Sequence, residues 1–174
     1  MGIKSLVVAT MLLSMLAACG EGSDQSGDSS STGNQPDDDR AADVLSEVQS
    51  DVDFQLYAPF ELGGLEPVSP VVSGPDSAPF VNLALTAQEP EGQRMYFTQS
   101  QDGFGEVAPP PGIEEERQVT IQGNDAELQI GSENDRPMVL LIWEMDGMHF
   151  SLSAVEVEED TVLEIAELTR PIDD

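Results

Sequence analysis

An α+β domain is predicted: an antiparallel meander of about six strands with a C-terminal helix packed on one face. Three observations predict it. Short alternating apolar segments recur between Pro and Gly from residue 53 onward, Asp146-Gly147 stands between two apolar runs, and a helical pattern closes the chain.

Residues 42–52 open the domain, with Val44, Leu45 and Val48 at the spacing of a short helix; the end of a linker is the alternative. Val52, Phe54 and Leu56 then alternate with Asp53, Gln55 and Tyr57, which predicts a strand. Pro59, Pro67, Pro70, Pro75 and Pro79 exclude helix from the irregular stretch that follows. Val81, Leu83 and Leu85 form the next alternating face, and Glu89-Pro90-Glu91-Gly92 turns the chain into a strand around Met95, Tyr96 and Phe97. A long loop runs from about Gln99 to Glu116. Pro109-Pro110-Pro111 makes it a stiff connection, with a polyproline ligand as the alternative. Val119 and Ile121, then Leu128 and Ile130, flank Gly123-Asn124-Asp125 as a hairpin.

Residues 138–155 are the most readable. A type I′ turn needs positive φ at both central residues, which Asp-Gly supplies, and a two-residue loop sets the register. Met145 then pairs with Met148, Trp143 with Phe150, Leu141 with Leu152 and Val139 with Ala154, all on an apolar face. The opposite face sets Glu144 against His149, Ile142 against Ser151 and Leu140 against Ser153, and is expected to be partly covered. Residues 158–169 read as a helix with acids in the first turn, Val162, Ile165 and Ala166 on one face, and Pro171 as the stop.

The charge is extreme. Thirty-four Asp and Glu stand against six Lys and Arg, a formal net charge of -28. Lys4 is the single lysine; the arginines are Arg40, Arg94, Arg117, Arg136 and Arg170. No basic patch exists to neutralise phosphates, which excludes nucleic acid as a partner. The same sign argues against attraction to an anionic membrane surface, so a hold on a membrane must come from a lipid. A salt-rich habitat, where self-repulsion is screened, accounts for the imbalance; an acidic exported protein from an ordinary habitat is the alternative.

The first residues carry an address. Lys4 precedes thirteen mostly apolar residues, Leu6 to Ala18. That length fits a signal-peptide core of about 7–15 residues and falls short of the roughly 20 needed to span a bilayer. Leu16-Ala17-Ala18-Cys19 resembles the lipobox of bacterial lipoproteins; an ordinary secretory signal is the alternative. The resemblance implies cleavage before Cys19, lipidation of its sulfur, and a membrane partner held through that lipid on the far side of the cytoplasmic membrane. Gly20, where an Asp would favour inner-membrane retention, implies the outer membrane if the host has two. Cys19 is the only cysteine, so no disulfide can form within the chain. The expected organisation is a signal peptide at 1–18, a lipidated Cys with a disordered acidic Ser/Gly linker at 19–42, and a single α+β domain at 43–174. A linker of about 23 residues reaches roughly 25–30 Å.

The run Trp143-Glu144-Met145-Asp146-Gly147-Met148-His149-Phe150-Ser151-Leu152, followed by Thr161-Val162-Leu163-Glu164-Ile165-Ala166, resembles the C-terminal domain of periplasmic anti-sigma-factor regulatory proteins and related lipoprotein domains. Pro59-Phe60-Glu61-Leu62-Gly63-Gly64-Leu65 is similar to that family's opening segment. The likeness implies a strand–turn–strand leading into a final helix. No functional residue of the family maps to a numbered position here.

Catalytic and metal chemistry finds little footing. His149 is the only histidine and reads as structural, since zinc needs further His or Cys ligands. No Gly-x-Ser-x-Gly elbow accompanies it, no Lys follows the glycines as in a phosphate loop, and no acidic stretch has the register of a calcium loop. No catalytic residue and no cofactor is expected. Met95, Met138, Met145 and Met148 read as core gap-fillers, with an adaptable binding surface as the alternative. The expected function is a lipid-anchored, non-catalytic binding or regulatory module with an envelope protein as partner. The alternative is a carrier of a lipid or other apolar ligand, which would need an apolar interior cavity.

Overall fold

A computed structural model describes residues 39–87, 92–105 and 107–172. The signal peptide, Cys19 and the linker up to residue 38 lie outside the described residues, as does most of the Glu89–Gly92 turn.

The sheet predicted from alternation is present. Six long strands build it: β4 (Phe80–Thr86), β5 (Arg94–Ser100), β6 (Glu115–Ile121), β7 (Asn124–Glu133), β8 (Arg136–Met145) and β9 (Met148–Val155). Two short strands, β2 (Glu66–Pro67) and β3 (Val71–Ser73), border β4 and complete an eight-stranded antiparallel sheet. The order is β2-β4-β5-β9-β8-β7-β6, with β3 also on β4. Two hairpin runs, β4–β5 and β6–β9, therefore meet through the β5–β9 pairing. The prolines that exclude helix do not exclude these short edge strands, where Pro67 costs no central ladder bond.

The register of the β8–β9 hairpin is as its Asp-Gly turn dictates, from Met145↔Met148 through Trp143↔Phe150 to Val139↔Ala154. Asp146 and Gly147 have φ of 56° and 76°. The β6–β7 turn is Gln122-Gly123, one residue earlier than the expected Gly123-Asn124-Asp125, and Asn124 and Asp125 already belong to β7. Asn134-Asp135, at φ 54° and 63°, turns β7 into β8.

One face of the sheet carries the core. Val81, Leu83, Leu85, Met95, Phe97, Leu128, Leu141, Phe150, Leu152 and Ala154 are buried there in a single cluster. Trp143 stacks on Phe150 at 5.1 Å and Phe97 on Phe150 at 5.9 Å, while Tyr57 meets Phe150 edge-on at 5.2 Å. Over this face lie α1 (Arg40–Ser46), α2 (Glu159–Glu167) and a ribbon of β1 (Tyr57–Pro59) with β10 (Thr169–Pro171). The helix α2 buries Val162, Ile165 and Ala166, as its spacing predicts. Arg117 ties β6 to α2 through Glu159 and also pairs with Glu115.

Three expectations need correction. The first helix begins at Arg40 and ends at Ser46, taking in residues 40–42 that composition assigns to the linker, because Ala41 as well as Leu45 is fully buried. The alternation from Val52 to Tyr57 is not a strand; Phe54 and Leu56 are buried, but β1 starts only at Tyr57. Pro171 does not stop the last helix, which ends at Glu167 with Leu168 as its cap; Pro171 belongs to β10.

Glutamine amides fasten the covering layer. Gln49 donates to the Phe54 carbonyl and accepts from the Leu56 N–H. Gln55 donates to the Leu56 and Ile172 carbonyls, and Gln122 to those of Ala166 and Thr169. A neutral amide offers donor and acceptor together, useful in a chain with few cations to pair its acids.

Candidate binding face

The other face of the sheet divides by charge. Cross-strand partners share a face, so Thr120, Asp125, Glu144 and His149 lie in one row, and Gln118, Glu127, Ile142, Ser151, Thr98 and Asn82 in the next. Carboxylates are confined to the β6–β7–β8 half of these rows. Residues 67–73, β4, β5 and β9 contain no Asp or Glu at all, and Arg94 is their single Lys or Arg. In a chain with 34 acids this is the exceptional surface.

It is also apolar. Val71 is 56% exposed, Val68 46% and Tyr96 40%, three of the four large hydrophobic side chains exposed among the described residues. Val71 stands opposite Asn82 and Tyr96 opposite Ala84, and the Val68 N–H donates to the Ala84 carbonyl at 2.8 Å. Val71 and Tyr96 therefore belong to the outer face over β4 and β5, with Val68 at the edge of the sheet beside them.

The loop between β5 and β6 closes one side of this surface. It must travel from one hairpin run to the far edge of the other, and it crosses the outer face to do so. Gly103 lies against the His149 ring, and further on the Ser132 N–H donates to the Pro111 carbonyl at 3.1 Å. Gly131 makes room for this strap: a Cβ there would meet the Pro111 carbonyl at 2.8 Å. Leu140, Gln129 and Ser151 are buried on the outer face, which is the partial cover expected for it. Between strap and sheet opens a cleft of about 240 Å³ lined by Phe80, Asn82, Thr98, Phe104, Val107 and Ser151. The Asn82 side-chain amide donates to Thr98 Oγ1 at 2.9 Å, so the polar floor is partly satisfied internally.

The chain matches no family model, no curated protein and no solved structure. The surface must therefore be read from its own chemistry.

Three larger clefts are lined by carboxylates. Two of about 680 and 350 Å³ share Phe60 and Arg170, with Asp39 and Asp43 in one and Glu61 and Glu167 in the other. A third of about 390 Å³ beside Val72 and Pro79 carries Asp51 and Asp76. Arg170 lies 3.7 Å above the Phe60 ring. Arg40, Arg117 and Arg136 each pair with a glutamate. Docking on these clefts would desolvate carboxylates on the protein's own side, which the face of β4, β5 and β9 avoids, Arg94 being the one charged side chain of those strands.

The residues singled out in the sequence fall elsewhere. His149 sits at the acidic margin, its Nδ1 3.9 Å from Glu144 Oε2, and packs on the strap. Met95, Met145 and Met148 are buried in the core, whereas Met138 is half-buried on the outer face, opposite Gly131 and Val155. Among the described residues no group of three or more His, Cys, Asp or Glu is placed to hold a metal ion. Sequence reasoning missed the carboxylate-free face because it looked for chemistry present, whereas the signal is charge missing from four segments that only the topology makes adjacent.

Proposed function

We propose that this protein is a lipid-anchored extracytoplasmic binding module that engages an envelope protein through the face of β3, β4, β5 and β9. The carboxylate-free surface of those strands, with Val71 and Tyr96 exposed on it, carries the reading. Interface cores are depleted of charge and enriched in aromatic side chains, and monomeric proteins seldom expose contiguous apolar patches without a use. The lipobox-like run ending at Cys19 supports the anchor, and the resemblance of residues 143–166 to domains of envelope regulators supports the compartment. No helix among the described residues is long and apolar enough to cross a membrane.

The carrier reading draws on the cleft under the strap, because carboxylates line each of the larger clefts. At about 240 Å³ it is smaller than the roughly 300–1,000 Å³ of sites that enclose a small molecule, and the core beneath the sheet is filled by stacked aromatics. A protein partner is the better fit.

Two experiments test the proposal. Cys19→Ser should abolish acyl labelling and release the chain from membranes; unchanged labelling refutes the anchor. A photoreactive amino acid at position 96 in intact cells should trap a discrete protein adduct that the same group at Glu164, on the exposed face of α2, does not. Identical adduct patterns at both positions refute the face.

A further inference from the structure

Resting on that reading, we propose that the cleft between strap and sheet receives one bulky apolar side chain of the protein partner, aromatic or large aliphatic, flanked in the partner by lysine or arginine. Size comes first. A space of about 240 Å³ holds a single large side chain rather than a folded element.

The walls come next. Phe80 from β4 and Phe104 with Val107 from the strap offer apolar surface, and paired aromatic rings gain about 0.5–1.5 kcal/mol beyond area burial. The floor makes no strong polar demand, because Asn82 already donates to Thr98, so an apolar occupant does not break that bond.

The margin sets the flanks. Asp76 in the β3–β4 turn, Asp102 just after β5 and Glu144 on β8 are all exposed, and Phe80, Ser100, His149 and Glu144 form the row nearest them. Gly74, two residues before Asp76, lies against the Phe80 ring. These carboxylates therefore stand along the row that runs past the cleft from Phe80 to Glu144, and none is among the cleft's described lining residues. Basic residues beside an apolar anchor complement this arrangement, and the net charge of -28 speeds the encounter of such a partner with the chain. A bilayer surface is the competing occupant for exposed Val68, Val71 and Tyr96. It fills no side-chain pocket, and anionic headgroups would repel the bordering carboxylates.

The test uses the full-length chain carrying Cys19→Ser and a phage-displayed library of random peptides. Selected peptides should share an aromatic, Leu or Met residue close to Lys or Arg. Their binding should weaken at least tenfold against Thr98→Phe, which fills the cleft, and against Val107→Asp, which charges its wall. Val107→Asp alone decides if Thr98→Phe lowers the melting temperature. Selection of basic peptides without an apolar residue, or equal binding to wild type and variants, overturns the proposal. So does co-sedimentation of the chain with phosphatidylcholine vesicles that is lost in Tyr96→Glu. Failure here with the adduct at position 96 intact removes the anchor pocket and keeps the face; loss of both removes the reading on which it rests.

Discussion

Gln99 acts as the strand partner that Tyr57 would otherwise lack. Fully buried on β5, its side-chain amide donates to the Tyr57 carbonyl at 2.9 Å and accepts the Tyr57 N–H at 2.8 Å. One edge of β1 is thus paired with β10 and the other with a side chain. Gln99→Leu keeps the volume and strands both backbone groups, each costing about 1–3 kcal/mol when buried without a partner. A fall of several degrees in melting temperature is expected, with faster amide exchange at Tyr57. Unchanged exchange would show that the ribbon does not depend on this amide.

Trp143 tests the core in a different way. Its ring is stacked on Phe150, yet its indole N–H is buried without an acceptor among the described residues. Trp143→Ala should cost about 3–5 kcal/mol by denaturant unfolding. Trp143→Phe should cost much less, because it also removes the unpaired donor, and His149→Ala, on the half-exposed margin, least of all. Equal losses for Trp143→Ala and His149→Ala would contradict the packing described.

The hairpin that holds Trp143 was legible because Asp146-Gly147 admits one turn type and the period of two does the rest. The neighbouring Asn134-Asp135 turn carries no glycine and escaped notice, although Asn and Asp tolerate left-handed backbone. The β1–β10 ribbon was hidden for another reason. Three-residue strands such as Tyr57–Pro59 and Thr169–Pro171 have no periodic signal, and they form because the covering layer brings the two ends of the domain together. The proposed contact face lay in plain sight as four acid-free segments, but their adjacency depends on β5 pairing with β9.

The Tyr57 phenol predicts an alkaline limb of stability. Burial raises its pKa above the ordinary 10.0, and the Asp146 carboxylate, which accepts its hydrogen bond at 3.3 Å, raises it further. The neutral phenol is the form the fold prefers. Its contribution is complete below pH 10 and is lost as pH rises through the higher folded value. Stability of wild type should therefore fall more steeply above pH 10 than that of Tyr57→Phe. Parallel pH profiles would show that the phenol is not coupled to folding.

Salt should stabilise the domain. With a net charge of -28, exposed carboxylates repel one another, and added ions shorten the range of that repulsion to about 3 Å at 1 M. The melting temperature should rise from low to molar sodium chloride. A flat or falling curve would show that self-repulsion is not the domain's main electrostatic cost.

The central claim is that the carboxylate-free face is the contact surface, and placing one carboxylate in it tests this most directly. The protein trapped at position 96 should be purified and titrated against wild type, Tyr96→Glu and Glu164→Gln. The account predicts at least tenfold weaker binding to Tyr96→Glu, unchanged binding to Glu164→Gln, and the same melting temperature for all three chains. Equal affinity of wild type and Tyr96→Glu would contradict it.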